Sequence, residues 1–266
     1  MNLAVIIPAA GTSSRYATSL EAPRSKLDED LGGRPVLHRT VELFTNRDDV
    51  RTIIVAGPAD PVAAAEFKNR HADKLGLLGV KLCVGGKTHR YETVANALAQ
   101  VPEDATHVAI HDAARPCAPM ELIDRLFEAA RKHPAVVPAI DATDTLKRVA
   151  DEEVVDAEVD PLDRILGVAG KPNTRLRRVE STIERTRLVA VQTPQVFHAQ
   201  LLRRAYAQPD LASTDDAQLV ERLGEPVVVV EGDPRNLKIT RPLDLSLARS
   251  ILGFHGPEGR ATHKRF

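Results

Sequence analysis

LAVIIPAAGTSSRY, residues 3–16, is the stretch that decides the fold. Its first five residues are apolar and predict a buried strand. Ala9, Ala10 and Gly11 follow, and because none carries a bulky side chain, the backbone there can approach a ligand closely. Arg15 then adds a fixed positive charge. A loop of small residues that leaves a buried strand and ends in a cation is typical of a site for a nucleotide phosphate.

Strand-like and helix-like runs alternate along the rest of the chain. Further strands are predicted at 52–57, 80–85, 107–113, 135–140 and 227–231. Helices are predicted at 35–46, 61–75, 91–101, 120–133, 197–207, 215–223 and 242–252. Strands that are apolar on both faces and alternate with helices predict an α/β fold, with a doubly wound, mostly parallel sheet. Ligands of such sheets bind outside the carboxyl ends of the strands.

One charge-rich segment, residues 147–187, departs from this alternation. It predicts an extended arm or β-ribbon that leaves the sheet and pairs two copies of the chain, and a flexible surface insertion is the alternative. We therefore predict a single domain over residues 1–252, with the arm as an insertion. Residues 253–266 show neither the helical nor the strand periodicity of apolar residues and predict a disordered tail.

Composition excludes several classes of protein. The net charge of −1 gives no overall attraction to nucleic acid, and aromatic residues at 3% give no stacking platform for bases. No apolar run approaches the roughly 20 residues that span a bilayer, and the N-terminus does not resemble a secretory signal. The chain has two cysteines without metal-ligand spacing. These features predict a reduced, cytoplasmic protein without a nucleic-acid or membrane partner.

The first connection between strand and helix is long and carries two cations, Arg15 and Lys26. Two cations beside a turn of small residues suit a triphosphate, although a solvated surface lysine is the alternative for Lys26. The motif HDAARP, 111–116, places Asp112 at the end of a strand, where one carboxylate can hold Mg²⁺ with the help of phosphate oxygens. An ion pair between Asp112 and Arg115 is the structural alternative.

Gly85-Gly86-Lys87-Thr88 ends like a Walker loop, but the motif also needs a glycine where Lys81 stands. We therefore predict no Walker chemistry, although the two glycines allow a ligand to lie close to the backbone, and Thr93 adds a hydroxyl.

Two further groups of charged residues lie near the C-terminus. Lys238 follows the last predicted strand, at the same end of the sheet as the other loops. Asp215 and Asp216 follow Ser213 and Thr214 at the start of a predicted helix, where capping and the helix dipole explain both.

The order of the motifs resembles the 2-C-methyl-D-erythritol 4-phosphate cytidylyltransferase family over most of residues 1–252. The motifs are PAAGTSSR, Lys26, GG with Arg90 and Thr93, HDAARP, DTLK, TPQVF, STDDA and NLKITRPLDLSLA. HDAARP, TPQ and NxKxTRPxDL are specific to this family and to the related ribitol-5-phosphate cytidylyltransferases, whereas AAGxxxR is shared by sugar nucleotidyltransferases in general. The resemblance implies a Rossmann-like nucleotidyltransferase fold with a protruding β-arm.

The resemblance also implies an activity. A Mg²⁺-dependent enzyme would transfer a cytidylyl group from CTP to 2-C-methyl-D-erythritol 4-phosphate, with release of pyrophosphate, in non-mevalonate isoprenoid biosynthesis. The implied catalytic cations are Arg15, Lys26 and Lys238, and Asp112 is the implied metal ligand. The implied nucleotide-binding residues are Ala9, Ala10, Gly11, Gly86, Arg90, Thr93 and Asp112. The implied acceptor-binding residues are Arg115, Thr145, Arg185 and Thr193.

In the family, the residues that match Thr145 and Arg185 belong to an arm that reaches into the neighbouring subunit, which implies a homodimer. Two other functions stay open at this point: transfer to ribitol 5-phosphate or another polyol phosphate, and nucleotide binding by a regulatory protein without catalysis. The presence of Arg15, Lys26, Asp112 and Lys238 together favours an enzyme, because a regulator has less need of a metal carboxylate.

Overall fold

The structure of the protein is a computed structural model that describes residues 1–13, 16, 25–153 and 176–254. Arg15, residues 154–175 of the predicted arm and residues 255–266 of the predicted tail lie outside the described residues. The chain divides into two compact units, Met1–Ile140 with Val191–Phe266, and Asp141–Ala190.

The described residues contain ten strands. In chain order they are β1 (Leu3–Pro8), β2 (Val50–Gly57), β3 (Lys81–Val84), β4 (His107–Ile110), β5 (Ala135–Asp141), β6 (Leu146–Glu153), β7 (Arg177–Ile183), β8 (Val189–Val191), β9 (Gln195–His198) and β10 (Val228–Glu231). The main sheet has the order β10-β5-β9-β4-β1-β2-β3, with β8 as its eighth strand. Along this path the pairs are parallel, apart from the two that β9 makes with β4 and β5.

Seven α-helices and one 3₁₀ turn accompany the strands within the described residues. The turn is Lys26–Asp28, and the helices are α1 (Val36–Thr45), α2 (Pro61–Leu77), α3 (Arg90–Leu98), α4 (Met120–Ala130), α5 (Ala199–Tyr206), α6 (Ala217–Glu221) and α7 (Pro242–Ile251). None of the helices in the described part of the chain is long and apolar enough to span a membrane.

The side chains of β1 show how the helices cover both faces of the sheet. Leu3, Val5 and Ile7 join a buried cluster with residues of α1, α2, α4 and α7. Ala4 and Ile6, which point to the opposite face, join a second cluster with residues of α3, α5 and α6. The predicted doubly wound, mostly parallel α/β fold is therefore confirmed.

The first prediction that the structure corrects concerns β9. The sequence predicted a helix from residue 197, but Phe197 and His198 end an antiparallel strand, and α5 begins at Ala199. Phe197 is buried between β4 and β5, opposite Val108 and Ala135.

The second correction concerns the tail, which was predicted to begin at residue 253. The backbone N–H of Phe254 donates to the carbonyl oxygen of Arg249 at 2.8 Å, and the Arg39 guanidinium lies 4.6 Å from the centre of the Phe254 ring. Gly253 and Phe254 are therefore not part of a disordered tail, because the Phe254 ring packs against the core.

The second unit contains an antiparallel pair of strands, β6 and β7, in which Leu146 lies opposite Ile183. This pair has the form of the predicted β-ribbon in the described part of the segment, and the arm as a whole stays a prediction. The unit begins at Asp141 and ends at Ala190, so it is somewhat longer than the predicted segment 147–187.

Candidate active site

Loops that follow β1, β3, β4 and β10 surround a cavity of about 360 Å³ in the first unit. The carboxyl ends of these parallel strands meet at one edge of the sheet, which brings the loops together. The described lining residues include four cations and one carboxylate, so the cavity favours an anionic ligand. The predicted site residues that line it are Ala9, Ala10, Gly11, Lys26, Gly86, Arg90, Thr93, Asp112 and Lys238.

Asp112 is the carboxylate of this cavity and faces three cations. Its Oδ2 lies 2.9 Å from Lys238 Nζ and 3.3 Å from Arg115 Nε, and its Oδ1 lies 3.5 Å from Arg90 Nε. Burial raises the pKa of Asp112, but the attraction of Lys238, Arg90 and Arg115 outweighs it and holds the pKa well below its usual range. The ion pair with Arg115 therefore exists, but it is part of a larger charged cluster.

A buried network behind Asp112 fixes its position. The backbone N–H of Asp112 donates to Thr193 Oγ1 at 3.0 Å, and that hydroxyl lies 3.2 Å from His111 Nδ1. His111 is fully buried, and its Nε2 lies 3.0 Å from the Arg115 carbonyl oxygen. Burial lowers the pKa of His111 to about 4. His111 is thus a buried, hydrogen-bonded residue that supports the loop of Asp112.

Lys26 reaches the cavity from the 3₁₀ turn. The Oγ of Ser25 caps this turn by accepting from the backbone N–H of Leu27 at 3.3 Å. Lys26 Nζ donates to the carbonyl oxygen of Ile239 at 2.7 Å, and the N–H of Ile239 donates to the Ala114 carbonyl oxygen at 2.8 Å. Lys26 is therefore anchored beside Lys238, and the solvated-surface interpretation of Lys26 is wrong.

Arg90, the first residue of α3, has a second and closer carboxylate partner. Its Nη1 lies 2.8 Å from Oδ2 of Asp216, which is 1% exposed. The hydroxyl of Tyr206 donates to Asp216 Oδ1 at 2.5 Å. Burial lowers the pKa of Arg90, but Asp216 and Asp112 outweigh it and raise the pKa above its ordinary value.

The capping role predicted for Asp215 and Asp216 is correct for one of them. Asp215 Oδ1 accepts from the backbone N–H of Gln218 at 3.1 Å, whereas Asp216 makes no side-chain cap in the described helix. Asp216 instead holds Arg90.

The two glycines of the Gly85–Gly86 loop are required by packing inside the protein. A Cβ at Gly85 would lie 2.8 Å from Ala10 Cβ, and a Cβ at Gly86 would lie 2.3 Å from Glu92 Cβ. The N–H of Gly86 donates to Thr93 Oγ1 at 3.0 Å. Gly11 differs, because a Cβ there would meet no described atom within 4 Å, and its backbone is open to the cavity.

The predicted acceptor-binding residues are placed differently. Arg115 and Thr193 lie in the network around Asp112, and Arg115 Nη1 also donates to the carbonyl oxygen of Asn236 at 2.6 Å. Thr145 and Arg185 belong to the second unit, where they lie just beyond the paired residues at one end of the ribbon. The Arg185 guanidinium donates there to the Thr143 carbonyl oxygen. Their role toward an acceptor stays a prediction.

Comparison with known proteins identifies the family. The family model described as IspD, 2-C-methyl-D-erythritol 4-phosphate cytidylyltransferase, matches residues 3–164 and 171–253. The chain belongs to this family.

Individual relatives agree with the family match. The chain is 39% identical to the 2-C-methyl-D-erythritol 4-phosphate cytidylyltransferase of Frankia casuarinae, across 94% of this chain and 81% of that one. It is also 39% identical to that of Rhodococcus jostii, across 93% of both chains. The crystal structure of the Thermus thermophilus enzyme has a TM-score of 0.66 at 32% identity, and the match covers 94% of this chain and 98% of that one.

Within this IspD family fold, sequence reasoning missed two buried polar residues of the site, Asp216 and Asn236. Asn236 is fully buried, and its Nδ2 donates to the carbonyl oxygen of Thr193 at 2.8 Å. A signal for Asp216 was present, because the first of two adjacent carboxylates can supply the cap at a helix start and leaves the second for another partner.

Proposed function

We propose that this chain transfers the cytidylyl group of CTP to 2-C-methyl-D-erythritol 4-phosphate and releases pyrophosphate. The observation that carries the proposal is the convergence of Lys26, Asp112 and Lys238 on one cavity, in a member of the IspD family. A cavity rich in cations suits a triphosphate, and its carboxylate suits the metal that accompanies one.

The transfer needs no covalent enzyme intermediate. A phosphate oxygen of the acceptor forms a bond to the α-phosphorus of CTP, while the bond from that phosphorus to the bridging oxygen breaks and pyrophosphate leaves. The residues contribute position and charge: Lys26 and Lys238 would neutralise the phosphate oxygens and the charge that develops during transfer. Their anchors place both ammonium groups before the nucleotide arrives, which avoids reorganisation during the reaction.

The residues present fit a magnesium ion that enters with the nucleotide. Asp112 is ionised, lies at the cavity and would be the protein's ligand, with phosphate oxygens as the others. Among the described residues no cluster of three or more His, Cys, Asp or Glu could hold a metal independently. Bound Mg²⁺ would supply further neutralisation of phosphate charge.

The acceptor site and the dimer are part of the proposal. Thr145, Arg185, Thr193 and Arg115 would bind the acceptor phosphate, as the family resemblance implies. Large apolar side chains are exposed in the second unit, and a homodimer formed through the ribbon would cover them. They are Leu146, Leu176, Val179, Leu188 and Val189.

The test is a matrix of four ribonucleoside triphosphates against two acceptors, with pyrophosphate release as the measurement. We expect release with CTP, Mg²⁺ and 2-C-methyl-D-erythritol 4-phosphate. Release with ribitol 5-phosphate alone would move the assignment to that acceptor. Binding of CTP without release in any combination would overturn the catalytic proposal in favour of a regulator.

A further inference from the structure

Arg90 lies between two carboxylates that have different tasks. One is Asp112, the candidate metal ligand, 3.5 Å from Arg90 Nε. The other is Asp216, 2.8 Å from Arg90 Nη1, which does not line the cavity and has no part in the proposed transfer. Asp216 is buried, so its negative charge is stabilised by its partners rather than by water.

We propose that Asp216 is a positioning residue that takes the closer pairing with Arg90 and so weakens the pairing of Arg90 with Asp112, which keeps Asp112 available to a metal-bound nucleotide. This inference deepens the proposed function and rests on it for the identity of the nucleotide. Tyr206 has a supporting role, because its hydroxyl occupies Oδ1 of Asp216 and leaves Oδ2 for Arg90.

The argument follows from the competition between cations for one carboxylate. Asp112 already has Lys238 at 2.9 Å and Arg115 at 3.3 Å, and a nucleotide would draw cations of the cavity toward its phosphates. Arg90 differs from Lys238 and Arg115 because it has a second carboxylate partner at 2.8 Å, the buried Asp216. Without it, Asp112 is the remaining carboxylate that contacts Arg90 in the described structure, and a metal would have to displace the guanidinium.

The charge arrangement also explains why the position needs aspartate rather than a neutral group. Asparagine has nearly the same shape and can still accept a hydrogen bond from Tyr206, but it cannot offset the charge of Arg90. The expected defect of Asp216→Asn is therefore in metal-dependent binding rather than in folding of the loop.

The experiment measures binding of CTP by calorimetry, without acceptor, over a series of Mg²⁺ concentrations. In Asp216→Asn the Mg²⁺ concentration for half-maximal CTP binding should rise by about tenfold. This is the shift expected if Arg90 leaves Asp112 available to the metal in about a tenth of the molecules. Tyr206→Phe should shift it in the same direction by about two- to threefold, because the ion pair remains. Asp215→Asn is the matched control and should leave it unchanged, since Asp215 contacts Gln195 and Gln218 instead.

A double-mutant cycle separates this role from general structural support. In the background of Arg90→Gln, Asp216→Asn should shift the Mg²⁺ requirement by less than about twofold, since its effect passes through Arg90. Thermal unfolding verifies that each variant folds. If Asp216→Asn does not fold, the shift in the Mg²⁺ requirement of Tyr206→Phe tests the inference in its place.

Two results would overturn the inference: an unchanged Mg²⁺ requirement in the folded variants, or an equal shift with and without Arg90. A wild-type protein that binds MgCTP but transfers nothing would instead contradict the proposed function and leave this inference standing.

Discussion

At the scale of single residues, Asp112 is the centre of the charge balance in the cavity. Three cations contact one carboxylate, so the site holds excess positive charge that a triphosphate would neutralise. Asp112 and Arg115 share the loop after β4, whereas Lys238 follows β10 and Arg90 begins α3. The effect of changing one of them should therefore appear in ligand binding and turnover as much as in stability.

Asp112→Asn tests this balance. Pyrophosphate release should fall on the order of 10²-fold or more, because the variant lacks the carboxylate that we propose as the metal ligand. Binding of metal-free CTP, measured by calorimetry in a chelator, should be unchanged or tighter, since an anion leaves a cationic cavity. Full turnover in the folded variant would rule out the metal role of Asp112.

Lys238→Met tests the contribution of one anchored cation. Turnover should fall by about 10²-fold, since a charge positioned for the transferring phosphate is lost. Lys132→Met is the matched control, because Lys132 is an exposed lysine on the surface near Glu128 and should keep turnover within about twofold. Equal activity of the two variants would contradict the role of Lys238.

The sequence could predict the location of those site residues that lie at or after the end of a predicted strand. Asp112 and Lys238 follow strands, and the end of a parallel strand is a defined place. Asp216 could not be placed in this way, because its partner Arg90 is 126 residues away along the chain. Helix capping is a local explanation and was sufficient for Asp215. The second carboxylate signalled that Asp216 has another partner, but no local pattern identified that partner as Arg90.

At the scale of elements, a chain of buried polar groups joins α1, α2 and the 3₁₀ turn that carries Lys26. His38 Nε2 lies 3.1 Å from His71 Nδ1, and His71 Nε2 lies 2.7 Å from Asp28 Oδ1. Burial, and then the neighbouring His71, lower the pKa of His38 from 6.5 to about 4. This chain ties two helices to the turn and makes their packing dependent on pH.

The sign of that dependence follows from the lowered pKa. Between pH 6.5 and about 4 the unfolded chain binds a proton at His38 that the folded chain does not, so stability decreases as the pH falls through this window. The free energy of unfolding, measured by urea titration at each pH, should therefore fall less in His38→Gln than in the wild type between pH 6.5 and about 4. We expect the difference to be roughly 1–3 kcal/mol.

The exposed His133 provides the control, since His133→Gln should leave the pH dependence of stability unaltered. If His38→Gln and the wild type lose stability in parallel between pH 6.5 and 4, His38 is not the group responsible.

The elements also show where sequence patterns are insufficient. The parallel strands were predicted because continuous apolar runs are typical of buried strands. β9 was not, because QVFH is four residues long and runs directly into the amphipathic pattern of α5. Pairing with β4 and β5 supplies its strand conformation, and such long-range pairing has no local periodicity of its own.

At the scale of the whole molecule, the exposed apolar side chains of the ribbon lead to a prediction about assembly. Light scattering should give a mass of about 58 kDa, which is two chains of 29.0 kDa. Val179→Asp should reduce it toward 29.0 kDa, because a charge would be buried in the interface. Val62→Asp, at a similarly exposed valine on α2, should leave the dimer intact. A wild-type mass of one chain would contradict the dimer.

The central claim for the whole molecule is that loops from separate parts of the chain form one binding site for a metal-bound CTP. A crystal structure of the protein with CTP and Mg²⁺ tests it most directly. We predict the triphosphate between Lys26 and Lys238, with the metal on Asp112. A nucleotide bound elsewhere, such as in the neighbouring cavity lined by Asp60 and Arg70, would contradict the account.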